Sequence, residues 1–132
     1  MLETIKTYLT QYGWQYKCHD DIIVTGFEAE NGLFVVVIQY ITPWLRISVP
    51  AYTPPLPTTF TSMLLYKLLE LNTSGRMARF GIDERQSVTV CIDLFTEPEL
   101  PYTQLETALD VISYVAETAH PHIMALINEG TT

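Results

Sequence analysis

Histidines, cysteines, paired carboxylates and a group of arginines are the residues of this 132-residue chain that could do chemistry. His19 stands between Cys18 and the pair Asp20–Asp21, a donor mixture of the kind that holds a borderline metal ion. The run falls where a turn ahead of a strand is expected, so no metal is assigned to it. His120 and His122 are two residues apart, so on a helix they point in different directions, unlike an i, i+4 pair sharing an ion. Cys18 and Cys91 lack the spacing of a disulfide framework or a metal site. They are expected as reduced thiols, Cys91 within the sheet. The acid pairs Asp20–Asp21, Asp83–Glu84 and Glu97/Glu99 all fall in expected turns, where solvated carboxylates are ordinary. Gly26, Gly75 and Gly81 form no phosphate loop, since no Gly-Lys-Ser or Gly-Lys-Thr accompanies them. No local Cys–His or Ser–His–Asp set is present. No catalytic residue, metal or cofactor is assigned, and an enzyme without a recognisable motif is the weakest reading.

Two groups of residues point to binding instead. Arg76, Arg79 and Arg85, with Arg46, place four of the seven basic residues in or next to expected strands. One reading is a small anion- or carboxylate-binding patch, the basis of a small-molecule-sensing regulatory domain with an arginine-lined pocket. The plainer reading pairs Arg79 with a local acid such as Asp93 across a hairpin. Eight Tyr, five Phe and two Trp are the second group, too many for so small a core. Trp44 is expected to point away from Leu45 and Ile47, with Tyr40, Tyr52 and Phe60 close in sequence. If that sheet face or the central helix is open, it is an apolar patch for dimerisation or partner binding; if helices cover both faces, Trp44 is core. The candidate partner-binding residues are therefore Trp44, Tyr40, Arg46, Phe60, Arg76 and Arg79.

These residues need elements to hold them. A chain of this length is one domain by size, residues 1–132, and its 48% hydrophobic content suffices for a core. The formal charge of −8 disfavours nucleic acid and anionic membrane surfaces and favours a basic or amphipathic partner segment. No basic-plus-apolar leader opens the sequence, and the longest apolar run, Leu33–Ile38, is far below the ~20 residues of a membrane helix. A soluble, cytoplasmic protein is expected.

The organising stretch is Met63–Phe95, reading as helix, stop, strand, turn, strand. Met63, Leu64, Tyr66, Leu68 and Leu71 form a broad apolar stripe at helical spacing, and Asn72 and Gly75 suit a left-handed helix end. Ala78, Phe80 and Ile82 alternate with polar or small residues, and after the turn Asp83–Ser87 so do Val88, Val90, Ile92 and Leu94. Upstream, Leu2–Tyr12 reads as an amphipathic helix ended by Gly13. Trp14–Lys17 fits a short strand or an extended connection. Ile22–Ala29 is strand-like, with Gly26 as a bulge or close approach, and Asn31-Gly32 marks a hairpin into Leu33–Ile41. The continuous apolar run there predicts a central strand covered on both faces. Trp44–Val49 completes a three-stranded meander. Pro50–Pro57 reads as a stiff spacer rather than a recognition motif. Thr103 with Glu106 forms a capping box opening the last helix, whose stripe is Leu105, Leu109, Ile112, Ala116 and Ala119. Pro121 should kink or restart that helix, and Asn128–Thr132 should fray.

The resulting order, α-β-β-β-α-β-β-α, is an α+β fold with helices packed on an antiparallel sheet. With it, Leu64-Leu65-Tyr66-Lys67-Leu68-Leu69-Glu70-Leu71-Asn72 followed by Arg79-Phe80-Gly81-Ile82-Asp83 resembles the YbjN-like family, which shares its fold with type III secretion chaperones. The resemblance runs from about Gly13 to Leu126 and is similar in particular to small cyanobacterial members. It implies a compact module, often dimeric, that binds polypeptides or acts in regulation, with no catalytic set to carry over. The leading reading is a non-enzymatic homodimer with a polypeptide partner.

Overall fold

A computed structural model describes residues 1–30, 32–57 and 62–130. The elements are α1 (Leu2–Tyr12), β1 (Lys17–His19), β2 (Ile22–Ala29), β3 (Gly32–Ile41), β4 (Trp44–Val49), α2 (Ser62–Ser74), β5 (Arg79–Ile82), β6 (Val88–Phe95) and α3 (Tyr102–Gly130). The strands form one antiparallel sheet in the order β1-β2-β3-β4-β6-β5. This is the expected α+β architecture with one strand more. β1 takes Lys17–His19 out of the undecided segment, so the meander has four strands. The expected Asn31 hairpin residue lies outside the described residues, although β2 and β3 do pair antiparallel on either side of it.

Alternation along each strand sorts the side chains onto two unlike faces. Ile23, Ile38, Ile47 and Ile92 lie opposite one another across four strands and are completely buried. Every fully buried strand residue belongs to this face. Against it pack Ile5 and Leu9 of α1, Leu64 and Leu68 of α2, and the α3 stripe Leu105, Leu109, Ile112, Ala116, Ala119 and Ile123. Among the described residues, no helix covers the other face. The expectation that β3 is covered on both sides is therefore corrected: Phe34, Val36 and Ile38 are buried, while Leu33 and Val35 are exposed. β3 is central in the sheet, but only one of its faces is dry.

Other expectations shift for local reasons. Gly13 does end α1, in the left-handed conformation. Gly26 marks a close approach without a bulge, since a Cβ there would sit 2.8 Å from the Phe34 carbonyl oxygen and the β2–β3 register is unbroken. α2 runs through Asn72 to Ser74, and the left-handed residue after it is Met77, not Gly75. Only Leu64 and Leu68 of the α2 stripe are buried; Met63 and Tyr66 face outward with Leu69. The Pro50–Pro57 segment is no mere spacer. Tyr52, Thr53 and Leu56 are buried, the Thr53 hydroxyl accepts the Val88 amide at 3.1 Å, and the Leu56 amide donates to the Gln86 carbonyl. α3 starts at Tyr102, one residue before the expected cap Thr103. The carbonyl of Pro101 takes the amides of Gln104 and Leu105. Pro121 neither restarts nor breaks α3; it lies on the exposed side, where the carbonyl it leaves unpaired can be hydrated. Asn128 and Glu129 remain helical.

Asn72 has a role that ties α2 to the sheet edge. Its side chain accepts the Phe80 amide at 2.7 Å and donates to the Phe80 carbonyl at 3.0 Å. One carboxamide thus stands where a neighbouring strand would pair with β5, which is how an edge strand is kept from adding a foreign one. Replacing Asn72 with Ala removes both bonds in a part-buried setting and should cost about 2 kcal/mol, read as a lower urea midpoint. An unchanged midpoint would show that the clamp adds nothing.

Candidate functional site

The helix-free face of the sheet is the candidate site, and strand register places its residues. At one end Ile41, Trp44 and Phe95 lie side by side across β3, β4 and β6. Two residues along each strand stand Gln39, Arg46 and Asp93, and beyond them Val37, Ser48, Cys91 and Arg79. Ile41, Trp44 and Phe95 are 53%, 48% and 49% exposed. The Trp44 and Phe95 rings meet at 5.2 Å between centroids, tilted by 54°. The strand ends that carry them are tied together. The Thr96 amide and hydroxyl both donate to the Pro43 carbonyl, at 2.9 and 2.7 Å.

The charged centre of the face is a triad. Arg46 Nε and Nη2 donate to the two oxygens of Asp93 at 2.8 and 3.1 Å, and Arg79 Nη2 donates to Oδ2 at 2.5 Å. The arginine side chains are about half exposed, Asp93 far less so. The hydrogen bonds from Arg46 hold the Asp93 carboxyl down at about 2; burial opposes them and Arg79 adds to them. The Asp93 bond likewise raises Arg46. The expected pairing of Arg79 with Asp93 is therefore present, widened by Arg46.

The remaining sequence candidates separate. Tyr40 lies on the helix-covered face, opposite Leu45, so it shares no surface with Trp44 and Arg46. Tyr52 is buried, its ring against Phe34, Phe80 and His120 and its hydroxyl donating to the Ala116 carbonyl at 2.5 Å; burial raises that hydroxyl well above the usual phenol range. Arg76 is exposed in the α2–β5 connection and makes none of the triad's hydrogen bonds. Arg85 borders a shallow depression with Arg46, Asp83 and Glu84. Phe60 lies outside the described residues. The four arginines do not converge on a closed pocket. Cys18 and His19 sit in β1 on opposite faces, with only Asp20–Asp21 in the turn. His120 packs edge-on against Phe34 and Tyr52. Among the described residues no cluster of three or more His, Cys, Asp or Glu could hold a metal, and no helix is long and apolar enough to cross a membrane.

Sequence reasoning missed Phe95 and Ile41. Phe95 was within reach, because the β6 alternation that buries Leu94 turns its neighbour to the Trp44 side. A depression of about 740 Å³ also opens on this face, beside β1 and lined by Trp14, Lys17, Gly26, Leu33 and Val35.

Fold and face together define an α+β module with three helices on one side of a six-stranded antiparallel sheet and an uncovered, part-apolar surface on the other. The chain belongs to the YbjN family: the family model described as "Putative bacterial sensory transduction regulator" matches residues 1–124. The crystal structure of E. coli YbjN superposes with a TM-score of 0.69 at 18% identity, covering 92% of this chain and 93% of that one. A chain of the heterodimeric ExoU–SpcU complex from the type III secretion system of Pseudomonas aeruginosa gives 0.63 at 14% identity, covering 93% and 97%. The Yersinia pestis secretion chaperone SycH, solved with a stable fragment of YscM2, gives 0.60 at 18% identity, covering 89% and 97%. At these identities the likeness is one of fold. No curated protein sequence matches the chain.

The triad makes a pH prediction. Asp93 titrates lower in the folded chain than the roughly 4 of a free carboxyl, so its contribution is complete above that value and is lost as pH falls toward about 2. With its partners half exposed, that contribution is about 1 kcal/mol at most. Urea unfolding of wild type and Asp93→Asn should differ at pH 6 and converge between pH 4 and 2. A gap that persists at pH 2 would mean the paired carboxylate is not its source.

Proposed function

We propose that the protein is a non-enzymatic, chaperone-like interaction module, one domain over residues 1–132, that binds a polypeptide client in the cytoplasm. The observation that carries this reading is the helix-free face, where Trp44 and Phe95 stand half exposed beside the Arg46–Asp93–Arg79 triad. A face whose described depressions are open and shallow suits a segment laid across it better than a small substrate. The family description is regulatory, and two neighbours of the same fold, ExoU–SpcU and SycH with YscM2, are complexes of one polypeptide with another. That supports a protein client; its identity is open to experiment.

The homodimer is part of the proposal. The outer side of α2 carries Met63, Tyr66 and Leu69 at intervals of three, largely exposed, with the Lys67–Glu70 pair between them. A second copy laid on this strip would cover it. The sensor reading is weaker, because Arg46 and Arg79 lie on an open sheet face, about half exposed, and among the described residues line no closed pocket with Arg76.

Affinity capture from native lysate, read by mass spectrometry, tests the client site. Trp44→Ala should keep its melting temperature within a few degrees and lose a protein that the wild type retains. Equal recovery by both would remove the open face from the proposal. Light scattering tests the dimer: Tyr66→Glu with Leu69→Glu should halve the measured mass, and a wild type already at monomer mass would end that part.

A further inference from the structure

Resting on the client-face reading, the chemistry of the triad says which client segments fit. Two guanidiniums share one carboxylate, so the cluster keeps a net positive charge. The pair carries roughly ten N–H donors and spends three of them on Asp93. Immediately beside it, Ile41, Trp44, Arg46 and Asp93 line a depression of about 340 Å³. The wider face agrees. Its strand positions carry Lys17, Arg46 and Arg79 against Glu28 and Asp93, and with Asp83, Glu84 and Arg85 at the rim it is balanced, in a chain of net −8. The acidic excess of the molecule therefore lies elsewhere, and this face does not share the preference for a basic partner that net charge alone suggests. The local preference is set by the triad.

We infer that the face takes a polypeptide segment that is apolar and acidic together. One aromatic or aliphatic side chain fills the depression beside Trp44, and a carboxylate accepts the free donors of Arg46 and Arg79. Spacing fixes the pattern further. Trp44 and Arg46 are i and i+2 on one strand, roughly 6.6 Å apart, the distance between alternate residues of an extended peptide. A segment running along β4 thus presents its apolar residue and its Asp or Glu two positions apart. Charge-assisted bonds of this kind are stronger than neutral ones and weaken with salt when exposed.

A phage-displayed library of random peptides, selected on the intact protein, supplies the probe. Enriched peptides are then measured by fluorescence anisotropy against wild type, Trp44→Ala, Arg46→Gln with Arg79→Gln, and Asp93→Asn. The expected consensus has an apolar residue two positions from Asp or Glu. Affinity should fall about tenfold or more in Trp44→Ala and in the double arginine variant, and in wild type at high salt. Asp93→Asn frees donors and adds net positive charge, so it should bind the same peptides more tightly, an effect that loss of fold would not produce. Peptides that need Trp44 yet show no acidic preference and ignore the arginine variants would overturn the acidic assignment while leaving the face a binding surface. Enrichment independent of Trp44, or none at all, would overturn both.

Discussion

Everything in this molecule depends on one asymmetry of burial. Ile23, Ile38, Ile47 and Ile92 form an unbroken apolar rung across four strands, and the α3 stripe closes over it. Because successive strand residues point to opposite faces, committing that set to the core commits the alternate set to solvent. Trp44, Arg46, Asp93 and Phe95 are outward for the same reason that Leu45, Ile47, Ile92 and Leu94 are inward. A shift of register by one residue would exchange the two sets, so the core that stabilises the fold also fixes which side chains the open face displays.

The ends of the sheet are managed separately. β5 is protected by the Asn72 carboxamide, and the proline-rich segment anchors the start of β6 through Thr53 while Tyr52 reaches across to α3. In this light the run ending at Asn72 and the run Arg79–Asp83, the two halves of the family resemblance, are one device. The first supplies the group that pairs with the backbone of the second. Their joint occurrence has a physical cause in the fold and does not depend on a reaction.

Much of this was legible in the sequence, and the failures have particular reasons. Alternation in Val88–Leu94 and in Trp44–Val49 gave the correct faces, and with them the pairing of Arg79 with Asp93. Leu33–Ile38 misled because a continuous apolar run is spelled alike whether one face or both are covered; here the outward Leu33 and Val35 are simply left bare. Tyr40 misled through proximity in the chain, which across a strand says nothing about shared surface. Tyr52 was hidden by its prolines, which announce stiffness but not where a stiff segment packs. Helical spacing in α2 gave too wide a stripe, since Met63 and Tyr66 flank the buried line of Leu64 and Leu68 without joining it. Arg46 was counted among the arginines, but that it and Arg79 share one acid follows only from β4 and β6 being neighbours, a pairing between strands 39 residues or more apart that no local pattern encodes.

The tie between Thr96 and the Pro43 carbonyl has a thermodynamic consequence for association. By joining the start of β4 to the end of β6, it leaves the indole of Trp44 and the ring of Phe95 already in contact before anything arrives. Immobilising a mobile side chain at an interface typically costs about 0.5–1.5 kcal/mol. Here the contact between the two rings is made during folding, so an apolar group that docked on this pair would not first have to bring them together.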